Sequence, residues 1–300
     1  MRDEVGPSAP GAPLDEGPAG NPDARPPQLP ADRRLMALAA LVTGLAWLGL
    51  WWVLVGLEGW ADQARPATCL ATHCFCEAVG SRPVLQPADT LSSLAYVAVG
   101  TWALLALLRL RALPGARSLA GSARLLVPAV ALVLALVGLS SALYHATLTF
   151  LGQYLDVLSM YLLGVLLLTG GLVRAGWIPR GAGVGLFVVL VGALAVAQAW
   201  YPESRRVLFG LVLLPGILLE LRPGTSGLPR GDAGRRTLWT GVWLLVVAAV
   251  LWVLDEARLA CWPDSPLQGH AAWHVLTAAA GVTLLVHYAQ SSARGASEQA

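Results

Sequence analysis

The chain has 300 residues, of which 56% are hydrophobic and only 13% charged. A water-soluble domain carries roughly a quarter charged residues, so the composition excludes an ordinary soluble protein and a long disordered scaffold. The formal net charge of +2 is too small to point to a nucleic-acid partner, which leaves a multi-spanning membrane protein with room for about seven or eight helical spans.

Residues 1–34 are rich in Pro, Gly, Ala and charge. They cannot bury enough apolar surface to offset the entropy of ordering, and read as a disordered cytoplasmic tail. The first apolar run begins only at Leu35 and is long enough to span, which argues against a cleavable signal peptide. Apolar runs then lie at about 35–57, 88–108, 125–145, 151–173, 181–202, 205–221, 237–255 and 270–291. In lipid each backbone polar group must be satisfied internally, so these runs are helices. The expected organisation is all-α. The tail is followed by an extra N-terminal transmembrane helix (35–57), a Cys-containing loop (58–87), a seven-helix core (88–291) and a short cytoplasmic tail (292–300). The run near 205–221 is the weak one. Its uncharged part covers only 207–219 and contains Pro215, and a buried or re-entrant segment is the alternative.

With eight spans the arginines sort by side. Fifteen of them (Arg2, Arg25, Arg33, Arg34, Arg109, Arg111, Arg117, Arg124, Arg174, Arg180, Arg222, Arg230, Arg235, Arg236 and Arg294) fall together. Arg65, Arg82, Arg205, Arg206 and Arg258 fall on the opposite side. The positive-inside rule then places both termini in the cytoplasm. There is no lysine, and Ala, Gly, Pro, Leu and Arg dominate, a bias that fits a GC-rich coding sequence and hence a bacterial inner membrane. Cys69, Cys74, Cys76 and Cys261 all fall in loops on the arginine-poor, oxidising side. A disulfide between the two loops or within the first is expected, and spacing does not decide the pairing. Metal binding by Cys69, His73, Cys74 and Cys76 is the alternative, although their spacing matches no common zinc knuckle.

Ionisable groups inside spans are costly and default to function. Ser141 and His145 stand at i and i+4 near the end of one helix, on one face. A very short connection makes the next helix its antiparallel neighbour, so Asp156 returns to the same depth. His270 and His274 are again i and i+4, at the start of the last helix. Three histidines with an open fourth position describe a catalytic zinc site. Zinc is a Lewis acid, a nearby carboxylate such as Asp156 can accept the proton of an attacking water, and the Ser141 hydroxyl can stabilise a developing oxyanion. Ala271 follows His270, so this is not the H-E-x-x-H arrangement. If 205–221 did not cross, His270 and His274 would lie at the wrong face and the site could not form. His287 stands alone and reads as structural. Asp89 and Ser92 open the first core helix. Asp89 or Thr90 caps it in one reading, and Asp89 and Ser92 buttress the metal site in the other. Asp255 lies on the same face and can cap, pair or orient a histidine. The opposite half of the core looks nearly free of ionisable groups, which counts against a transporter or channel.

Three strings carry a family resemblance: CEAVGSRPVLQPADTLSSLAY, GLSSALYHATLTFLGQYLDVLSMY, and WVLDEARLAC followed by HAAWH. In this order they resemble the alkaline ceramidase family, part of a superfamily of seven-helix membrane hydrolases that includes the adiponectin and progestin receptors. The resemblance covers about residues 74 to 290. It implies zinc held by His145, His270 and His274, water activation by Asp156, oxyanion support by Ser141, and a Cys76–Cys261 pair. It also implies cleavage of the ceramide amide to a sphingoid base and fatty acid, with a substrate cavity open to the lipid bilayer. The family's calcium site is not matched. Cys74, Phe75, Cys76, Val79 and Gln86 stand at its positions, and only Glu77 remains as a carboxylate. A zinc-containing receptor or sensor of the same superfamily, with weak or no hydrolysis, is the alternative function.

Overall fold

Each long apolar run becomes a helix whose bounds match the sequence reading to within a few residues. The computed structural model describes residues 29–112, 119, 122–222, 225 and 233–291. Of the expected tails, 1–28 and 292–300 fall outside the described residues, whereas residues 29–34, expected to be disordered, are ordered: Leu29 is buried, the Pro30 carbonyl oxygen accepts from Trp102 at 3.1 Å, and a helix begins at Arg33. The helices are α1 (Arg33–Gly56), α2 (Glu58–Gln63), α3 (Pro87–Ala112), α4 (Ala123–Thr147), α5 (Phe150–Arg174), α6 (Arg180–Trp200), α7 (Arg205–Leu221), α8 (Ala233–Glu256) and α9 (Gly269–Ser291). Among the described residues no named strand occurs. Seven of the helices, α1 included, are long and apolar enough to cross a membrane. Their outer faces agree: Leu41, Trp52, Leu132, Val184, Val188 and Trp243 are all more than half exposed. Such a surface is stable only against lipid or another apolar partner. The architecture is an all-helical, multi-spanning membrane bundle.

The core packs through α3, α4, α5 and α9. Gly138 sets the approach of α3 and α4: a Cβ there would lie 2.8 Å from the Ser93 carbonyl oxygen. Only glycine admits that spacing, which brings the serines of α3 to the depth of Ser141 and His145. α1 stands outside the core and packs mainly on α3. Its N-terminus is capped by Asp32, whose carboxylate accepts from the Leu35 amide at 3.1 Å and pairs with Arg109.

α7 is shorter than its neighbours, at 17 residues, and continuous through Pro215. It runs the length of the bundle. At one end Arg205 donates to Thr68 Oγ1 at 3.2 Å. At the other, Glu220 Oε2 lies 2.9 Å from Arg174 Nη1, and Glu220 Oε1 accepts from Tyr288 at 2.9 Å. α7 thus reaches both ends of the bundle, but at 17 residues it is not among the seven helices long and apolar enough to cross a membrane, where eight spans were expected. The same contacts correct the expectation that the half of the core away from the histidines lacks ionisable groups. Arg174, Glu220 and His287 form a buried cluster there. His287, expected to be structural, bonds the Gly234 carbonyl oxygen through Nδ1 at 3.0 Å.

The 58–87 loop is pinned to the bundle. It holds α2 and a 3-10 turn (Thr68–Ala71). Its main chain bonds the α4–α5 corner through Ala67 N to Leu148 O at 2.9 Å and Phe150 N to Arg65 O at 2.8 Å. Disulfides join Cys69 to Cys74 and Cys76 to Cys261. Both readings left open by spacing occur, one bridge within the loop and one between loops. All four cysteines are oxidised, which overturns the alternative of metal binding by Cys69, His73, Cys74 and Cys76. His73 instead bonds the Glu256 carbonyl oxygen at 3.1 Å.

Candidate active site

Three local features bring the predicted side chains to one depth. The α4–α5 corner turns at Leu148, which is left-handed (φ +47), and Thr149 caps α5 by accepting from the Gly152 amide at 3.2 Å. This corner returns Asp156 to the level of Ser141 and His145. The last turn of α8 supplies Asp255, whose carboxylate accepts from the His270 amide at 3.1 Å and the Cys76 amide at 2.9 Å. Asp255 therefore caps α9, and it positions His270 by its main chain rather than its ring. The third feature is Glu77, which receives the Ala88 amide at 2.7 Å and the Asp89 amide at 2.9 Å. Glu77 caps α3, so the expected cap by Asp89 or Thr90 is corrected. Thr90 bonds back to the Gln86 carbonyl oxygen at 2.6 Å. Burial raises the Glu77 carboxyl, against the lowering pull of the two amides.

His145, His270 and His274 are buried, and one ligand atom from each lies within 4.8 Å of the others. Their hydrogen bonds decide which nitrogen is free. Gln86 donates its amide to the Cys74 and Glu77 carbonyl oxygens at 2.6 and 3.2 Å. Its oxygen, 3.0 Å from His145 Nδ1, must then accept the Nδ1 proton, which leaves Nε2 a lone pair. Ser92 gives its only proton to the Asp89 carbonyl oxygen at 3.0 Å. Its oxygen therefore accepts from His274 Nδ1 at 2.8 Å, and His274 Nε2 carries a lone pair as well. His270 Nε2 lies 3.2 Å from His145 Nε2. In the metal-free chain a proton on His270 Nε2 donates across this gap to the His145 lone pair, and a cation bound there would take that proton's place. The three histidines can hold a metal ion.

The remaining predicted residues take graded places around this centre. Ser141 Oγ lies 3.4 Å from His274 Nε2, and Asp156 is buried against the Ser141 hydroxyl. Asp89 is fully buried, its Oδ2 3.7 Å from His145 Nδ1. The His145 proton nevertheless goes to Gln86, a residue that sequence reasoning assigned only to an unmatched calcium site. The signal available was its place at the turn into α3, on the same face as Asp89. Phe75, also missed, stacks on the His270 ring.

A cavity of about 390 Å³ opens at the centre and is lined by Ser141, Asp156, His270, His274, Tyr144 and Trp273. A second, almost wholly apolar cavity continues from it along Leu213, Ile217, Leu238 and Leu245 towards Glu220. Both lie along the seam between α7 and α8, which pack little against each other. At the histidine end the seam is bridged by Arg206 and Glu256 at 2.5 Å. A cluster of polar side chains thus stands at one end of a long apolar chamber, a shape suited to a lipid with one polar bond at its head.

No curated protein matches the sequence. The family model described as Ceramidase matches residues 68–300, a span that takes in all three histidines, Asp156, Ser141 and both cavities. It leaves out α1. The chain belongs to the ceramidase family, a family of hydrolases.

Proposed function

We propose that this protein is a zinc-dependent membrane amidohydrolase that cleaves ceramide-type sphingolipids to a sphingoid base and a fatty acid. The observation that carries the reading is the convergence of three buried imidazoles, one nitrogen of each within 4.8 Å of the others, beside Asp156 and Ser141 at the head of an apolar chamber. Two nitrogens on one tetrahedral zinc ion lie about 3.3 Å apart at bond lengths of about 2.05 Å. The His145–His270 separation of 3.2 Å is compatible with that. His145, His270 and His274 would hold the ion, which supplies Lewis acidity to the site.

The chain's own groups account for the rest of the chemistry. The chamber binds alkyl chain and excludes bulk water, which strengthens every polar interaction inside it. The Asp156 carboxylate takes a proton from the attacking water and delivers it to the departing amide nitrogen. Water oxygen bonds the carbonyl carbon, the C–N bond breaks, and the fatty acid and amine leave. The Ser141 hydroxyl donates to the carbonyl oxygen as negative charge grows there. Gln86 and Ser92 keep two imidazoles in the required tautomer, and the buried Asp89 carboxylate adds negative charge beneath a cationic centre. The α7–α8 seam admits substrate from the bilayer. The arginine bias supports a site at the extracytoplasmic face with both termini in the cytoplasm, and the GC-rich composition supports a bacterial plasma membrane.

The test is amide hydrolysis of a labelled ceramide panel by detergent-purified protein, with chelator-treated protein and His274→Ala as controls. The expected result is fatty-acid release that needs metal and is lost in the variant. Stoichiometric zinc without release from any ceramide would overturn the ceramidase reading and favour the receptor or sensor alternative.

A further inference from the structure

A metal-binding imidazole needs its plane held, and the usual holder is a hydrogen bond to its second nitrogen. Gln86 does this for His145, and Ser92 for His274. His270 departs from the pattern. Its Nδ1 is buried and has no hydrogen-bond partner among the described residues. What meets the ring is the flat face of Phe75, with centroids 3.7 Å apart and planes 17° from parallel. A close parallel stack suits an electron-poor ring against an electron-rich one, and an imidazole grows electron-poor when its nitrogen binds a cation.

Phe75 is itself unusually fixed. Cys74 on one side is bonded to Cys69, and Cys76 on the other to Cys261. The Cys76 amide is held by Asp255, the same carboxylate that receives the His270 amide. Phe75 and His270 therefore share one anchor. Phe75 is also left-handed, at φ +64. A bulky residue in that region is a genuine outlier that the surroundings must maintain. Glycine would adopt the turn with no steric cost, so an aromatic ring at this position calls for a cause in what the ring touches.

We propose that Phe75 is the positioning residue for His270. Its ring does the work of the missing hydrogen bond and sets the imidazole plane so that Nε2 faces His145 and His274. The proposal rests on the reading of these histidines as a metal centre.

The experiment titrates Co²⁺ into metal-free, full-length protein and reads the dissociation constant and the visible ligand-field spectrum. The variants are Phe75→Ala, Phe75→Leu and Phe75→Trp. The expected result is one cobalt per wild-type chain, a dissociation constant raised by about 10- to 100-fold in Phe75→Ala with an altered spectrum, and recovery of both in Phe75→Trp. Phe75→Leu keeps bulk without a flat face and is expected to behave like the alanine variant. It also carries the test if Phe75→Ala does not fold. Wild-type affinity and spectrum in Phe75→Leu would overturn the proposal, because plain packing would then suffice. A wild-type chain that binds no cobalt would instead end the metal-centre reading itself.

Discussion

Two buried polar clusters occupy opposite ends of the same bundle, and they are built on opposite principles. At the far end, Arg174 faces Glu220, and Tyr288 and His287 close around the pair. Cation and anion are both present, so the cluster balances its own charge. At the other end three imidazoles converge with no cationic partner among them, and the buried Asp89 carboxylate oxygens have no hydrogen-bond donor among the described residues. That cluster is incomplete by its own chemistry. The contrast separates a group that holds helices together from a group arranged around something else.

The largest expected effect comes from breaking the incomplete cluster. His274→Ala should lose bound metal and reduce amide hydrolysis to background while the chain still folds, as read by metal analysis and helical circular dichroism. The far cluster should respond the other way. Glu220→Ala leaves Arg174 buried without its partner, at a cost of about 3–5 kcal/mol in stability. Metal content per folded molecule should stay at the wild-type level. Replacing both partners, as Arg174→Leu with Glu220→Leu, should recover most of that loss, because a well-packed apolar pair replaces an ion pair at little cost. A double variant as unstable as Glu220→Ala would show that the cluster does more than neutralise itself.

Smaller changes sharpen the comparison. Gln86→Ala removes the acceptor of the His145 Nδ1 proton and should weaken metal binding by about 10- to 100-fold, and it also strips the Cys74 and Glu77 carbonyl oxygens of their donor, at about 1–3 kcal/mol in stability. Equilibrium metal titration measures the weakening. The smallest effect is expected at Glu77, where Glu77→Gln keeps one of the two oxygens that cap α3 and should cost about 1 kcal/mol. Burial raises this carboxyl above its ordinary value of 4.5, so the folded chain binds the proton more tightly than the unfolded one. That contribution is full below pH 4.5 and is lost as the pH rises through the folded value. Thermal melts across this window should slope in the wild type and flatten in Glu77→Gln.

How much was legible in the chain follows from the range of each interaction. Helix bounds were readable because a membrane span is a local property: length, apolarity and the obligation to satisfy backbone groups within the segment. The constellation of Ser141, His145, Asp156, His270 and His274 was readable because i, i+4 spacing fixes a face and a short corner fixes a depth. The weak 205–221 run also forms a helix, and it carries the chain from the histidine end of the bundle to the other end.

Contacts between distant segments were decided only in three dimensions. Asp89 looked like a helix cap because aspartate near a helix start usually is one, yet Glu77 reaches α3 from the preceding loop. Gln86 looked like a lost calcium ligand until its amide was seen fixed by two loop carbonyls, with its oxygen turned to His145. Glu220 and Arg174 read separately as the charged edges of two apolar runs, and their pairing appears only when α5 and α7 pack side by side. Sequence periodicity reports how a residue faces within its own helix. Which residue of another segment meets it depends on helix packing, loop path and crosslinks, and that is where the disulfide pairing, the holders of each imidazole and the stack of Phe75 on His270 were settled.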